Sequence, residues 1–136
     1  MIEPILYILM RNDLASLNPG KACAQAAHAA NDAQTILDLG HDHSRPELQE
    51  LFYEWKNSAN RTFGTTIVLE APWDEIKNTI DHIQYISAGY TNNIHDPTYP
   101  IRDGQVTHLI PLNTCAWVFG DRNELSPYLE HLELMK

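Results

Sequence analysis

The sequence predicts a single α/β domain over residues 1–136, a four-stranded mixed sheet with helices on both faces. Three observations predict it. Short apolar or β-branched runs alternate with segments of helical periodicity, the order expected of a sheet covered on both sides. The 136 residues are 43% apolar, enough for one real core and too apolar for wholesale disorder. The last two apolar runs lie close together in sequence, so part of the sheet is antiparallel.

The elements follow in order. Pro4 to Met10 (PILYILM) is a short apolar run ending at Arg11, the length of a buried strand. Asn12 to Gly20 is a loop. Asn18 and Pro19 read as the N-cap and first position of a helix that runs to about Leu37 and stops near Gly40. Ser44 and Glu47 form a capping box around Pro46, and Leu48, Leu51, Phe52 and Trp55 carry a second helix over Pro46 to Ser58. Thr65 to Glu70 (TTIVLE) is a β-branched strand. Pro72 opens a third helix with Trp73, Ile76, Ile80 and Ile83 on one face, closed by Gly89. Tyr90 to Arg102 reads mostly as loop. Gln105 to Ile110 and Cys115 to Phe119 read as two strands joined through Pro111, Leu112 and Asn113. A short helix over Glu124 to Leu132, interrupted by Pro127, ends the chain.

Composition restricts function. The net charge is −9, with nine Lys and Arg, so any RNA partner must find a local basic patch within an unfavourable overall field. No apolar run reaches membrane-spanning length, and the N-terminus lacks the pattern of a signal peptide. Cys23 and Cys115 show neither metal-motif nor disulfide spacing. Both sit in apolar stretches and read as buried free thiols, which points to a cytoplasmic location.

The first helix is the most informative segment. Lys21, Gln25, His28 and Asp32 are spaced i, i+4, i+7, i+11 and form one polar stripe that points away from the core. Ala22, Ala26, Ala29 and Ala33 lie on the adjacent face, where small side chains let the backbone approach the sheet. Lys21 meets the positive end of the helix dipole, an unfavourable place for a cation unless it serves an anion or charge developing in a transition state. An ordinary surface lysine is the alternative. His28 reads as an acid–base group or as a satisfied helix histidine. Asp103, Gln105 and Thr107, read as one strand face, could orient a water, or form a solvated strand edge. His41, Asp42 and His43 could ligate a metal only with help from elsewhere in the chain. Trp55, Trp73 and Trp117 read as core rather than as a base-stacking platform.

RNDL at 11–14 and GKACAQAAHA at 20–29 resemble the type II peptidyl-tRNA hydrolases, whose pattern is roughly R-x-D-L followed by G-K-x-A-A-Q-x-x-H-A. Asp103 to Thr107 resembles the family's D-x-G-x-T, followed by Pro111 and the strand at 114–120, and EHLEL at 130–134 resembles its C-terminal end. The resemblance implies hydrolysis of the ester between a peptide and the 3′ end of tRNA, releasing free tRNA. It implies no cofactor and no metal, no membrane partner, and a homodimer as one state to consider. It makes Lys21, Gln25, His28, Asp103 and Thr107 the catalytic set. Lys21 would stabilise the oxyanion, Asp103 with Thr107 would position water, and Gln25 with His28 would orient the ester and terminal ribose. Arg11, Asn12, Asp13 and Arg102 would bind substrate.

Four departures from the pattern stand out. Ala27 replaces a common Ser; the segment 103–107 (DGQVT) lacks the usual glycine position and has Val106 where Arg is common. Extra residues occur around Gly40 to Arg61 and around His95 to Ile101, and the charge is acidic. A second reading is therefore kept, a catalytically silent relative acting as a binding or regulatory module. An open groove with positive charge beside Lys21 favours the enzyme, and a blocked one favours the module.

Overall fold

The computed structural model describes residues 2–39 and 46–136. Its elements are β1 (Pro4–Arg11), α1 (Pro19–Leu39), α2 (Pro46–Lys56), a 3-10 turn (Ser58–Asn60), β2 (Thr66–Ala71), α3 (Trp73–Tyr85), β3 (Tyr90–Asp103), β4 (Val106–Asp121), α4 (Arg122–Leu129) and β5 (Glu133–Leu134). The sheet has five strands in the order β3-β4-β1-β2-β5, not four. The added strand, β5, is two exposed residues paired with Leu69 and Glu70, too short to leave a periodic signal. β1 and β2 are parallel and the other pairings antiparallel, so the sheet is mixed as expected.

β1 explains why its sequence is a continuous apolar run. It lies between β2 and β4, and the two sides of its pleat meet different helices. Leu6, Ile8 and Met10 pack with Trp117, Phe119, the alanines of α1, and Leu48, Leu51, Phe52 and Trp55 of α2. Ile5, Tyr7 and Leu9 pack on the other side with Ile76, Ile80 and Ile83 of α3 and Leu125 and Leu129 of α4. Asn18 caps α1 through a hydrogen bond from the Lys21 amide, 2.9 Å. The capping box proposed for α2 involves Ser44, which lies outside the described residues.

Three readings are corrected. The segment Tyr90 to Arg102 is a strand, not a loop. It tolerates Pro97 and Pro100 because β3 is an edge strand whose outer backbone needs no partner. The two strands expected over 105–110 and 115–119 are one, β4, paired along β3 in a long hairpin. Pro111 falls where the register of that hairpin slips and has no partner across the ladder. Finally, α3 closes at Ser87, which takes the left-handed conformation (φ 56°), and not at Gly89. Gly89 serves packing instead, since a Cβ there would stand 2.6 Å from the Phe119 carbonyl oxygen.

No helix among the described residues is long and apolar enough to cross a membrane. Trp55 and Trp117 are buried, as expected of core, while Trp73 is half-buried under Arg11. Cys115 is buried, and burial pushes its thiol up to about 12. Cys23, expected to be buried, is exposed: it lies on the solvent side of α1, away from the alanine face.

Candidate active site along the first helix

The small residues of α1 set the site. Ala22, Ala29 and Ala33 are buried against the sheet, which brings the neighbouring polar stripe up to β3 and β4. The stripe therefore does not point away from the protein. It runs beside β3, where Lys21, Gln25 and Asp32 each meet a defined partner and His28 stays exposed.

Lys21 donates from Nζ to the Pro100 carbonyl oxygen at 2.7 Å and lies 5.2 Å from the centre of the Tyr99 ring. Tyr99 is fully buried, and its hydroxyl is 3.1 Å from Ser16 Oγ in the β1–α1 loop. The ammonium is thus held between backbone and ring, with one of its three hydrogens committed. Gln25 is only 3% exposed. Its Oε1 accepts from Thr114 Oγ1 at 2.6 Å, and its Nε2 donates to Asp96 Oδ2 at 2.7 Å. Asp32 accepts from Asn92 Nδ2 and Trp117 Nε1, both at 2.8 Å, and ties the far end of the stripe to the sheet. His28 is exposed and lines an open cleft of about 540 Å³ with Asp32, Asn93, His95, Asp96 and Thr98.

Asp96 is the group that the sequence reading missed. It sits in β3 where the register with β4 slips between Asp96 and Tyr99. Its Oδ1 accepts from the Thr98 amide at 2.9 Å and from Thr98 Oγ1 at 3.3 Å. Burial opposes its ionisation. The hydrogen bonds from Gln25 and Thr98 and the nearby His28 outweigh that and hold the carboxyl below its ordinary value. The only sequence signal was the run of extra residues around His95 to Ile101, which gives no hint of which side chain turns toward α1.

The other expected residues fall elsewhere. Asp103 ends β3 and Thr107 lies in β4 opposite Arg102, so they do not share a strand face. Gly104, at φ +62°, makes the tight turn between them. Residues 102–109 are exposed, and among the described residues neither Asp103 nor Thr107 is hydrogen-bonded or ion-paired to the stripe. Arg102 donates to the Gly104 carbonyl at 3.0 Å. Arg11 is spent on Asp13, at 2.8 and 3.2 Å, and on the Asn113 carbonyl at 3.0 Å. Those bonds from Arg11, with one from the Trp73 amide, hold the Asp13 carboxyl below its usual value. The Asn12 amide donates to Ala71, joining the ends of β1 and β2. Among the described residues no three His, Cys, Asp or Glu side chains are grouped to hold a metal. His41, Asp42 and His43 lie outside those residues.

Gln25 links helix, sheet and cleft, so Gln25→Leu should be costly. It leaves the buried Thr114 hydroxyl without its acceptor and Asp96 without a donor. The expected loss is about 2 kcal/mol, the usual cost of orphaned buried polar groups. Urea denaturation checks it, and an unchanged midpoint would mean that the amide does not bridge these elements.

A family model described as peptidyl-tRNA hydrolase PTH2 matches residues 5–135. Comparison with curated proteins gives no match.

Proposed function

The chain belongs to the peptidyl-tRNA hydrolase PTH2 family, and from that premise we propose that it hydrolyses the ester joining a peptide or N-acylated amino acid to the 3′ end of tRNA. The observation that carries this reading is the position of Lys21, an ammonium fixed at one end of a polar seam whose other end opens into a cleft. Water adds to the ester carbonyl carbon, and the C=O pair moves onto oxygen as an oxyanion. The remaining ammonium hydrogens of Lys21 stabilise that charge, with the first turn of α1 behind them. Collapse breaks the bond to the ribose oxygen, which leaves as the tRNA hydroxyl, and the acyl group departs as a carboxylic acid. An activated ester needs little beyond placement and electrostatics. His28, which lines the cleft, orients the terminal ribose in this reading. Gln25, being buried, acts on the substrate only through Asp96.

Membership of a hydrolase family supports the enzyme over a silent binding module. The direct test is release of free tRNA from purified N-acyl-aminoacyl-tRNA. No release above the spontaneous rate, by protein that melts cooperatively, would return the chain to the module reading.

The charge pattern gives a second expectation. Arg11 is already paired with Asp13, so few cations remain for phosphates. An enzyme that grips only the acylated end, through two or three contacts, should show a log–log salt slope of magnitude about 1.5–2. Binding of tRNA carrying an amide-linked acyl group, which resists ester hydrolysis, measures it. A slope several times steeper would reveal a basic surface gripping the tRNA body, assembled across copies of the chain.

A further inference from the structure

Building on the esterase reading above, we propose that Asp96 is the carboxylate that holds the attacking water, in the role that the sequence resemblance gives to Asp103. Three observations carry this. First, Asp96 stands in the cleft beside His28, whereas Asp103 ends the β3–β4 hairpin among exposed residues. Second, Asp96 is fixed on both oxygens. Gln25, itself oriented by Thr114, takes Oδ2 at 2.7 Å, and Thr98 takes Oδ1 through its amide and hydroxyl. A carboxylate offers about four acceptor positions, and these three donors leave one for a water in the cleft. Third, the pairing of an aspartate with a threonine that was expected at 103 and 107 is present at 96 and 98. It lies where the register of the β3–β4 hairpin slips, between Asp96 and Tyr99.

The chemistry balances without a co-reactant. As the water oxygen bonds to the ester carbon, one of its protons passes to an Asp96 oxygen. When the bond from carbon to ribose oxygen breaks, that proton goes to the departing oxygen and Asp96 returns to its ionised form. The hydrogen bonds from Gln25 and Thr98 fix the carboxylate's direction toward the cleft, so its part in the step is chiefly to hold and orient the water.

The test compares Asp96→Asn, Asp96→Glu and Asp103→Asn on N-acyl-aminoacyl-tRNA, with melting temperatures measured alongside. D96N should lower kcat about 100-fold with little change in KM. D96E keeps the charge but moves it by a methylene, and should lower kcat about tenfold while folding normally. D103N should lose at least tenfold less than D96N. The proposal is overturned if D103N loses more than D96N, or if folded D96N and D96E both keep wild-type kcat. If D96N does not fold, D96E decides alone. Absence of turnover in the wild-type protein is a different result: it removes the esterase reading itself, and this assignment with it.

Discussion

Lys21→Ala should lower kcat/KM on N-acyl-aminoacyl-tRNA by about 10²–10³-fold, the scale of losing one preorganised oxyanion donor. The structure explains why the effect is large on rate and small on folding. Lys21 is half-buried, held by the Pro100 carbonyl and the Tyr99 ring. Those two contacts support the fold by only about 1 kcal/mol, because the ammonium also loses water in making them. Relief of an unfavourable dipole interaction at the helix start offsets part of even that. Lys21→Arg should recover only part of the rate, since a planar guanidinium cannot occupy the same point. Turnover and melting temperature are measured on one preparation. A normally folded, fully active K21A protein would move the site off the first turn of α1.

Gly64→Ala should be the most damaging small substitution in the fold, at about 2–3 kcal/mol. A Cβ at Gly64 would stand 2.4 Å from both the Trp55 ring and the Trp55 carbonyl oxygen. Trp55 is buried and cannot withdraw. Its ring packs on Phe52 and Phe119, and its Nε1 donates to Thr65 at 2.7 Å. That contact pins the end of α2 to the start of β2, so relief requires the two elements to part. The melting temperature should fall by roughly 10 °C. Activity per folded molecule should be unchanged, because Gly64 lies outside the polar seam. A G64A protein with wild-type melting would show that this junction yields freely.

What the sequence made legible follows from where side chains meet a single environment. β1 could be read because both of its faces are buried, and α3 because Ile76, Ile80 and Ile83 all face one layer. The polar stripe of α1 was legible from spacing alone, and so was its cap. The hairpin was not. Beyond the pairing of Met10 with Cys115, β4 has only β3 for a neighbour, so its outer half carries Thr107, His108 and Asn113 without an apolar alternation. β3 adds two prolines and two register slips to the same ambiguity. Asp96 was hidden for that reason. A residue beside a bulge has no periodicity to declare its direction, and its partner Gln25 is seventy-one residues away in sequence. Asp103 and Thr107 do not share the strand face expected of them, because Gly104 turns the chain between them, and a left-handed glycine leaves no periodic signal.

The pairing of β1 also bears on how the chain is made. Leu6 lies against Thr66 on one side and Phe119 on the other, so β1 is made long before the strand that covers its second edge. At ribosomal speeds of roughly 5–20 residues per second, PILYILM waits on the order of ten seconds for β4. Through that interval an apolar segment with open backbone groups on its β4 side is exposed to whatever is nearby. Nascent chains of this protein should therefore depend on shielding by chaperones more than its modest size suggests. Transplanting β1 to the C-terminus by circular permutation would let the strand emerge into a nearly finished sheet.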